Sequence, residues 1–175
     1  MHAKHRLMPK IERIKKRHLL KKREQRDELA RIENELGSTI NGLDEKSHLE
    51  SGVLDDGSRV LLLDGEIVFF QHEGRIVPTL RALLNGLIEV PRVTVDMGAV
   101  RFVVNGADIM RPGITQVDDK VKQNGIVAVV DETHGMPLAV GISMLSAAAL
   151  KAAESGKVVK SIHHINDALW IFGKS

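Results

Sequence analysis

The sequence has no cysteine and no tyrosine, and only four phenylalanines and one tryptophan among 175 residues. The missing thiols exclude disulfides, thiolate zinc sites and cysteine nucleophiles, and they fit a reducing compartment. No apolar run approaches the roughly 20 residues that a membrane helix needs. The first ten residues, Met1–Lys10, are charged and lack the apolar core of about 7 to 15 residues found in a secretory signal, so a cytoplasmic location is expected. Gly-x-Ser-x-Gly, Walker and dinucleotide glycine motifs are all absent. Asp55-Asp56 and Asp118-Asp119 are paired carboxylates, but both fall in turn-like segments, where Asp is favoured for local hydrogen bonding. His163-His164 are adjacent, so on a strand they point to opposite faces, and no His-x-x-x-His pattern accompanies them. The expectation is a protein without metal or cofactor and not an enzyme.

Charge, by contrast, is present and unevenly distributed. Net charge is only +2, yet residues 1–23 hold ten Lys/Arg and a single acid, Glu12, leaving the rest of the chain acidic. A basic arm that includes Lys15, Lys16, Arg17, Lys21, Lys22 and Arg23 suggests a polyanion partner; a solvated tail explains the same composition. Residues 91–175 hold nine Lys/Arg and eight Asp/Glu. Phosphate contacts supply most nonspecific RNA affinity, so that segment alone should bind weakly. Five rings are too few for a platform on which successive bases stack, and Phe102 and Trp170 are expected in the core.

Residues 1–16 show no clean period and form a basic lead. His18-Leu19-Leu20 could be a short strand. Leu29, Ile32 and Leu36 predict a helix over Lys21–Leu36, stopped by Gly37. The polar stretch 38–52 suggests a loop. Val53-Leu54, Arg59–Leu63, Glu66–Gln71 and Arg75–Val77 are β-rich, and Asp64-Gly65 is a strong hairpin signal. Pro78 suits the first turn of a helix over Thr79–Asn85 with Leu80, Leu83 and Leu84 facing the sheet. Pro91 marks an expected linker over Leu87–Arg92, dividing a domain over 17–90 from one over 91–175. In the second, Val93–Val95 is a strand and Asp96 caps a helix bearing Ala99, Phe102 and Val103 that ends at Gly106. Strands are expected over Ala107–Ile109, Gly125–Asp131, Leu138–Leu145, Val158-Val159, His163–Ile165 and Ala168–Phe172, with a helix over Ala147–Glu154 capped by Ser146. Short strands at close spacing suggest a small mixed barrel.

The segment Val95–Ile114, with Asn105-Gly106-Ala107-Asp108-Ile109-Met110-Arg111-Pro112-Gly113 at its centre, resembles the opening of a PUA domain. Val140-Gly141 and Ile162–Trp170 are similar to that domain's close. Upstream, Asp64–Phe70 and Val77–Leu84 resemble the pre-PUA domain of the archaeal branch related to the malignant-T-cell-amplified-sequence protein and ligatin, which are translation factors. The resemblance covers roughly residues 17–172. It implies an α+β architecture, an N-terminal α/β pre-PUA domain followed by a C-terminal PUA pseudo-β-barrel. It also implies binding of structured RNA (tRNA or rRNA) and an N-terminal domain that contacts the small ribosomal subunit, in translation initiation or recycling. Where related sequences often show His-Tyr near the C-terminus, this chain has His163-His164.

On the residues themselves, Asn105-Gly106-Ala107 between a helix and a strand would admit a phosphate or ribose against bare backbone, although a helix C-cap explains the glycine equally. The resemblance favours the first, because this loop lines the family's RNA groove, and it draws in Asp108. Arg111, on a turn before Pro112-Gly113, could bind phosphate bidentately or stack on a base; pairing with Asp108 is the plainer alternative. Arg101, Lys120 and Lys122 could extend a basic rim. Two further readings stay open: an accessory RNA-binding subunit for tRNA or rRNA modification, and a protein-interaction scaffold.

Overall fold

The computed structural model describes residues 10–44 and 46–172; most of the basic lead lies outside the described residues. In chain order the elements are β1 (Lys15–Leu19), α1 (Lys22–Leu36), β2 (Leu49–Val53), β3 (Arg59–Leu63), β4 (Glu66–His72), β5 (Arg75–Pro78) and α2 (Leu80–Leu84). Then follow β6 (Arg92–Val95), α3 (Val100–Val104), β7 (Ile109–Met110), a turn of 3-10 helix (Arg111–Gly113) and β8 (Ile114–Val117). The last elements are β9 (Ile126–Asp131), β10 (Pro137–Ser143), α4 (Ala147–Ala152), β11 (Lys157–His164) and α5 (Ala168–Ile171).

The first five strands form an antiparallel meander in chain order. Its β3–β4 hairpin turns at Asp64-Gly65, where both residues have positive φ (+52° and +85°). That is the type I′ geometry whose twist matches flanking strands. Its central strands β3 and β4 are buried on both faces and are nearly continuous apolar runs rather than alternating ones, whereas β1 at the edge is exposed. Leu61, Val68 and Phe69 face α1 through Ile32, while Val60, Leu62, Ile67 and Phe70 face the other way.

The remaining six strands order as β7-β11-β10-β9-β6-β8, with β6 and β9 parallel. Strand β9 divides its side chains in the same manner. Val127 and Val129 enter the barrel core beside Val93, Val95 and Val159, whereas Ile126, Ala128 and Val130 join Val60, Leu62 and Phe70 of the first sheet. A single apolar layer therefore welds the two sheets together.

One polar group lies in that weld. His163 is fully buried; its Nε2 accepts the Leu80 N–H at 3.0 Å, and its Nδ1 lies 2.7 Å from Asp167 Oδ2. An amide N–H can only donate, so Nε2 is the acceptor and the ring proton sits on Nδ1, donated to Asp167. Phe70 meets the ring edge-on, with centroids 5.6 Å apart. Beside it, the Arg81 guanidinium stacks on Trp170 at 4.3 Å and donates to the Trp170 carbonyl at 3.1 Å. Helix α5 is thus fastened to α2.

Several expectations need correction. The first strand begins at Lys15, inside the expected lead. Residues 49–52 of the expected loop join Val53 in a strand, because Leu49 and Ser51 turn inward while β1 and β3 flank them. Pro78 ends β5 and Thr79 caps α2, its hydroxyl accepting from Ala82 N. Leu84 is 40% exposed rather than facing the sheet. Leu87, Ile88 and Val90 of the expected linker are buried. Ile114–Val117 is an unforeseen strand. Ala168–Ile171 is helical, since Asp167 Oδ1 caps it by accepting from Trp170 N at 2.9 Å.

Burial pushes the Asp167 carboxyl up, but the His163 ring and the Trp170 and His164 N–H groups outweigh it and hold it below the ordinary carboxylate range. A carboxyl depressed in the folded state contributes stability that is complete above the unfolded value, about pH 4, and lost as pH falls through the folded one. Asp167→Ala is therefore expected to lower unfolding free energy by about 3 kcal/mol at neutral pH. It should also flatten the acid side of the stability profile below about pH 4. Urea denaturation across pH checks both.

Candidate nucleic-acid interface

Helix α3 is short because Gly106 follows its C-cap residue, Asn105, with φ +91°. Two turns of backbone hydrogen bonds close there, Gly106 N to Val103 O at 3.0 Å and Ala107 N to Phe102 O at 3.0 Å. Asn105 and Ala107 are exposed, and the chain enters β7 beside β11. A Cβ at Gly106 would lie 2.7 Å from His164 Nε2. The glycine thus serves both to turn the chain and to let the imidazole lie against bare backbone.

Phe102 is not core: it is 54% exposed, and the exposed Arg101 guanidinium lies 4.8 Å from its ring centroid. A five-residue helix has room to bury one side, and Val103 takes that position at 2% exposure. Hydrophobicity alone could not separate the two neighbours. Met110, 52% exposed on β7, lies opposite Lys157 at the other end of β11 from His164.

Asp108 is engaged, accepting from Ser161 N at 2.9 Å and pairing with Lys157 Nζ at 3.4 Å. Its charge is offset locally, and it does not pair with Arg111. The Arg111 guanidinium is turned onto backbone carbonyls: Nε donates to Leu150 O at 2.7 Å, Nη1 to Ile114 O at 3.2 Å and Nη2 to Lys151 O at 3.4 Å. It satisfies carbonyls at the last turn of α4, which otherwise lack partners. The fork expected to face a ligand is occupied by the fold.

Lys120 and Lys122 are exposed on the loop after β8, where they line a cleft of about 650 Å³ between the two sheets with Glu35, Arg75, Glu89 and Arg92. No hydrogen bond or ion pair among the described residues ties either lysine to Gly106. Of the basic arm, Lys15 pairs with Asp55 at 3.5 Å and Arg17 makes a two-pronged contact with Glu50 at 2.8 and 3.0 Å. Lys16, Lys21, Lys22 and Arg23 are exposed on β1 and at the start of α1. The structure therefore brings together Arg101, Asn105, Gly106, Ala107 and Asp108, and leaves Arg111, Lys120, Lys122 and the arm elsewhere. It adds Phe102, Lys157 and His164, of which only the adjacent histidines carried a signal in the sequence. Among the described residues no group of three or more His, Asp or Glu could hold a metal ion, and no helix is long and apolar enough to cross a membrane.

Two family models match the chain, a domain of unknown function designated DUF1947 over residues 16–85 and the PUA domain over residues 91–165. An uncharacterised protein of Methanocaldococcus jannaschii is 36% identical over 91% of this chain and 98% of its own length. Translation machinery-associated protein 20 of Saccharomyces cerevisiae is 29% identical, over 98% of this chain and 93% of its own. The crystal structure of a hypothetical protein from Pyrococcus horikoshii superposes with a TM-score of 0.72 at 31% identity, covering 88% of this chain and 97% of the other.

Gly106→Ala should cost about 2 kcal/mol, from the strained φ and the displaced imidazole, read as a lowered thermal midpoint. Arg111→Ala should cost about 1–3 kcal/mol by orphaning carbonyls, and Arg111→Lys should recover little, since an ammonium cannot span three acceptors. Undiminished stability in chemical denaturation of Arg111→Ala would return this side chain to a ligand-facing role.

Proposed function

This chain belongs to the family that joins a pre-PUA domain to a PUA domain, together with translation machinery-associated protein 20 and malignant T-cell-amplified sequence 1, and from that premise we propose that it is an RNA-binding protein. It acts on tRNA or rRNA at the small ribosomal subunit, during translation initiation or recycling, in the cytoplasm. The observation that carries the reading is the surface at the end of α3. There an exposed aromatic ring, an exposed guanidinium and the exposed backbone of a glycine turn lie within six residues of one another.

Each part has a chemical use. Phe102 offers a face on which one base stacks, and Arg101 adds positive charge at its edge. Asn105 and the exposed backbone around Ala107 supply neutral donors and acceptors. Lys160, exposed on β11, makes no ion pair among the described residues and provides a cation for a phosphate. One ring and few cations suit an RNA end or a single flipped nucleotide rather than a long strand. Lys16, Lys22 and Arg23, also without ion pairs among the described residues, extend the polyanion contact along the N-terminal sheet. Their charge supplies the long-range pull that the nearly neutral second half lacks.

Affinity for a tRNA pool, measured by filter binding, should fall steeply between low and moderate salt. Phe102→Ala combined with Arg101→Glu should weaken it by roughly ten-fold or more, without loss of folding. Co-sedimentation with small ribosomal subunits from lysate supports the ribosomal assignment. Recovery with an RNA-modifying enzyme instead would favour an accessory role in modification. Salt-independent binding would sink the phosphate-driven reading.

A further inference from the structure

Five non-glycine residues among those described have positive φ. Asp64, Glu73, Asn124 and Asn166 sit in turns, but Lys16 (φ +51°) lies inside strand β1. The reason is found on either side of it. Ile14 packs on the face of the first sheet that meets the barrel, and Leu20 on the face that meets α1. In a regular strand, residues an even number of positions apart share a face, so one residue between them must drop out of the alternation. Lys15 stands opposite Val53 and His18 opposite Ser51, which leaves Lys16 and Arg17 facing Gly52 alone. That is a β-bulge whose first residue is left-handed, a position that glycine ordinarily takes. A Cβ on Gly52 would collide with Ile14 Cγ2, so the partner strand makes room for the crossing chain. The His18 ring donates from Nδ1 to the Lys16 carbonyl at 3.1 Å and holds the bulge in place.

The bulge also sorts three consecutive cations. Lys15 pairs with Asp55 and Arg17 with Glu50, whereas Lys16 is exposed and makes no ion pair among the described residues. We propose that the bulge is a presenting device, which holds Lys16 out of the ladder as the phosphate-contacting residue of β1 while its two neighbours are engaged by the fold. The inference rests on the RNA-binding reading and assigns one contact within it. A left-handed backbone is costly for any side chain with a Cβ, so folding alone favours glycine at position 16. The lysine adds strain without an ion pair in return, and an external anion is the partner that accounts for it. A phosphate is the matching group, because an ammonium on a flexible stem is a point charge that fixes position without reading bases. Bulges and lysines also guard sheet edges against pairing with other chains, and β1 is an edge strand. A glycine at the bulge, flanked by Lys15 and Arg17, would meet that need equally.

Binding of a tRNA pool to the full-length chain, followed across salt concentrations, reads the phosphate contacts as the slope of log affinity against log salt. Lys16→Gly and Lys16→Asn remove the charge and suit the left-handed backbone. Both should reduce the slope by roughly one while melting no lower than the wild type, and Lys16→Arg should keep the slope. Controls remove charge elsewhere: Lys15→Gln with Asp55→Asn, Arg17→Gln with Glu50→Gln, and Arg75→Gln on β5 at the opposite edge of the sheet. Each should keep the wild-type slope. An unchanged slope in Lys16→Gly, or an equal loss in the controls, overturns the assignment and leaves RNA binding intact. Self-association of Lys16→Gly with an unchanged slope would make the bulge an edge guard instead. A lowered melting temperature in Lys16→Gly would remove the strain on which the assignment stands. A wild type whose affinity ignores salt overturns the RNA-binding reading, and the inference with it.

Discussion

The molecule depends on one constraint: β9 is buried on both faces, by two different partners. Its odd-numbered valines fill the barrel, and Ile126, Ala128 and Val130 press on Val60, Leu62 and Phe70 of the first sheet. Domains in one chain ordinarily move relative to each other unless the shared face is large and apolar. Here the shared face is a continuous hydrophobic core. It fixes where the α3 surface lies relative to β1 and the start of α1, which carry Lys16, Lys22 and Arg23.

Within that core His163 has an acceptor and a donor satisfied at once, by Leu80 N–H and Asp167. A buried polar group left unpaired costs about 1–3 kcal/mol, so the histidine disfavours any packing that separates α2 from the end of β11. The next residue, His164, points to the opposite face and toward Gly106. Strand alternation thus assigns two chemically identical neighbours to two unrelated tasks, one sealing the joint and one packing against the Gly106 turn. The expectation that they could not share a metal followed from the same alternation.

Arg111 and Phe102 show where local reading misleads. An arginine on a turn before Pro-Gly has the features of an exposed ligand contact, yet each of its three nitrogens donates to a backbone carbonyl, two on α4 and one on β8. Phe102 and Val103 are both apolar on one short helix, and only the barrel's position decides that Val103 goes in. The helix at Ala168–Ile171 is a similar case. Its apolar composition suits a strand, but Asp167 caps it locally while already held by His163 and His164.

Local pattern along the chain was enough for the hairpin at Asp64-Gly65, the helix ending at Gly37, the strand at β9, the two-part architecture and the family. These follow from periodicity, turn residues and motifs, whose physics is local along the chain. Only the packed fold settled which cations lack ion-pair partners among the described residues, which ring faces water, and which carbonyls hold His164 Nδ1. Those outcomes depend on groups up to 60 residues apart, such as Val104 and His164, and no local pattern encodes a partner that folding brings from so far away.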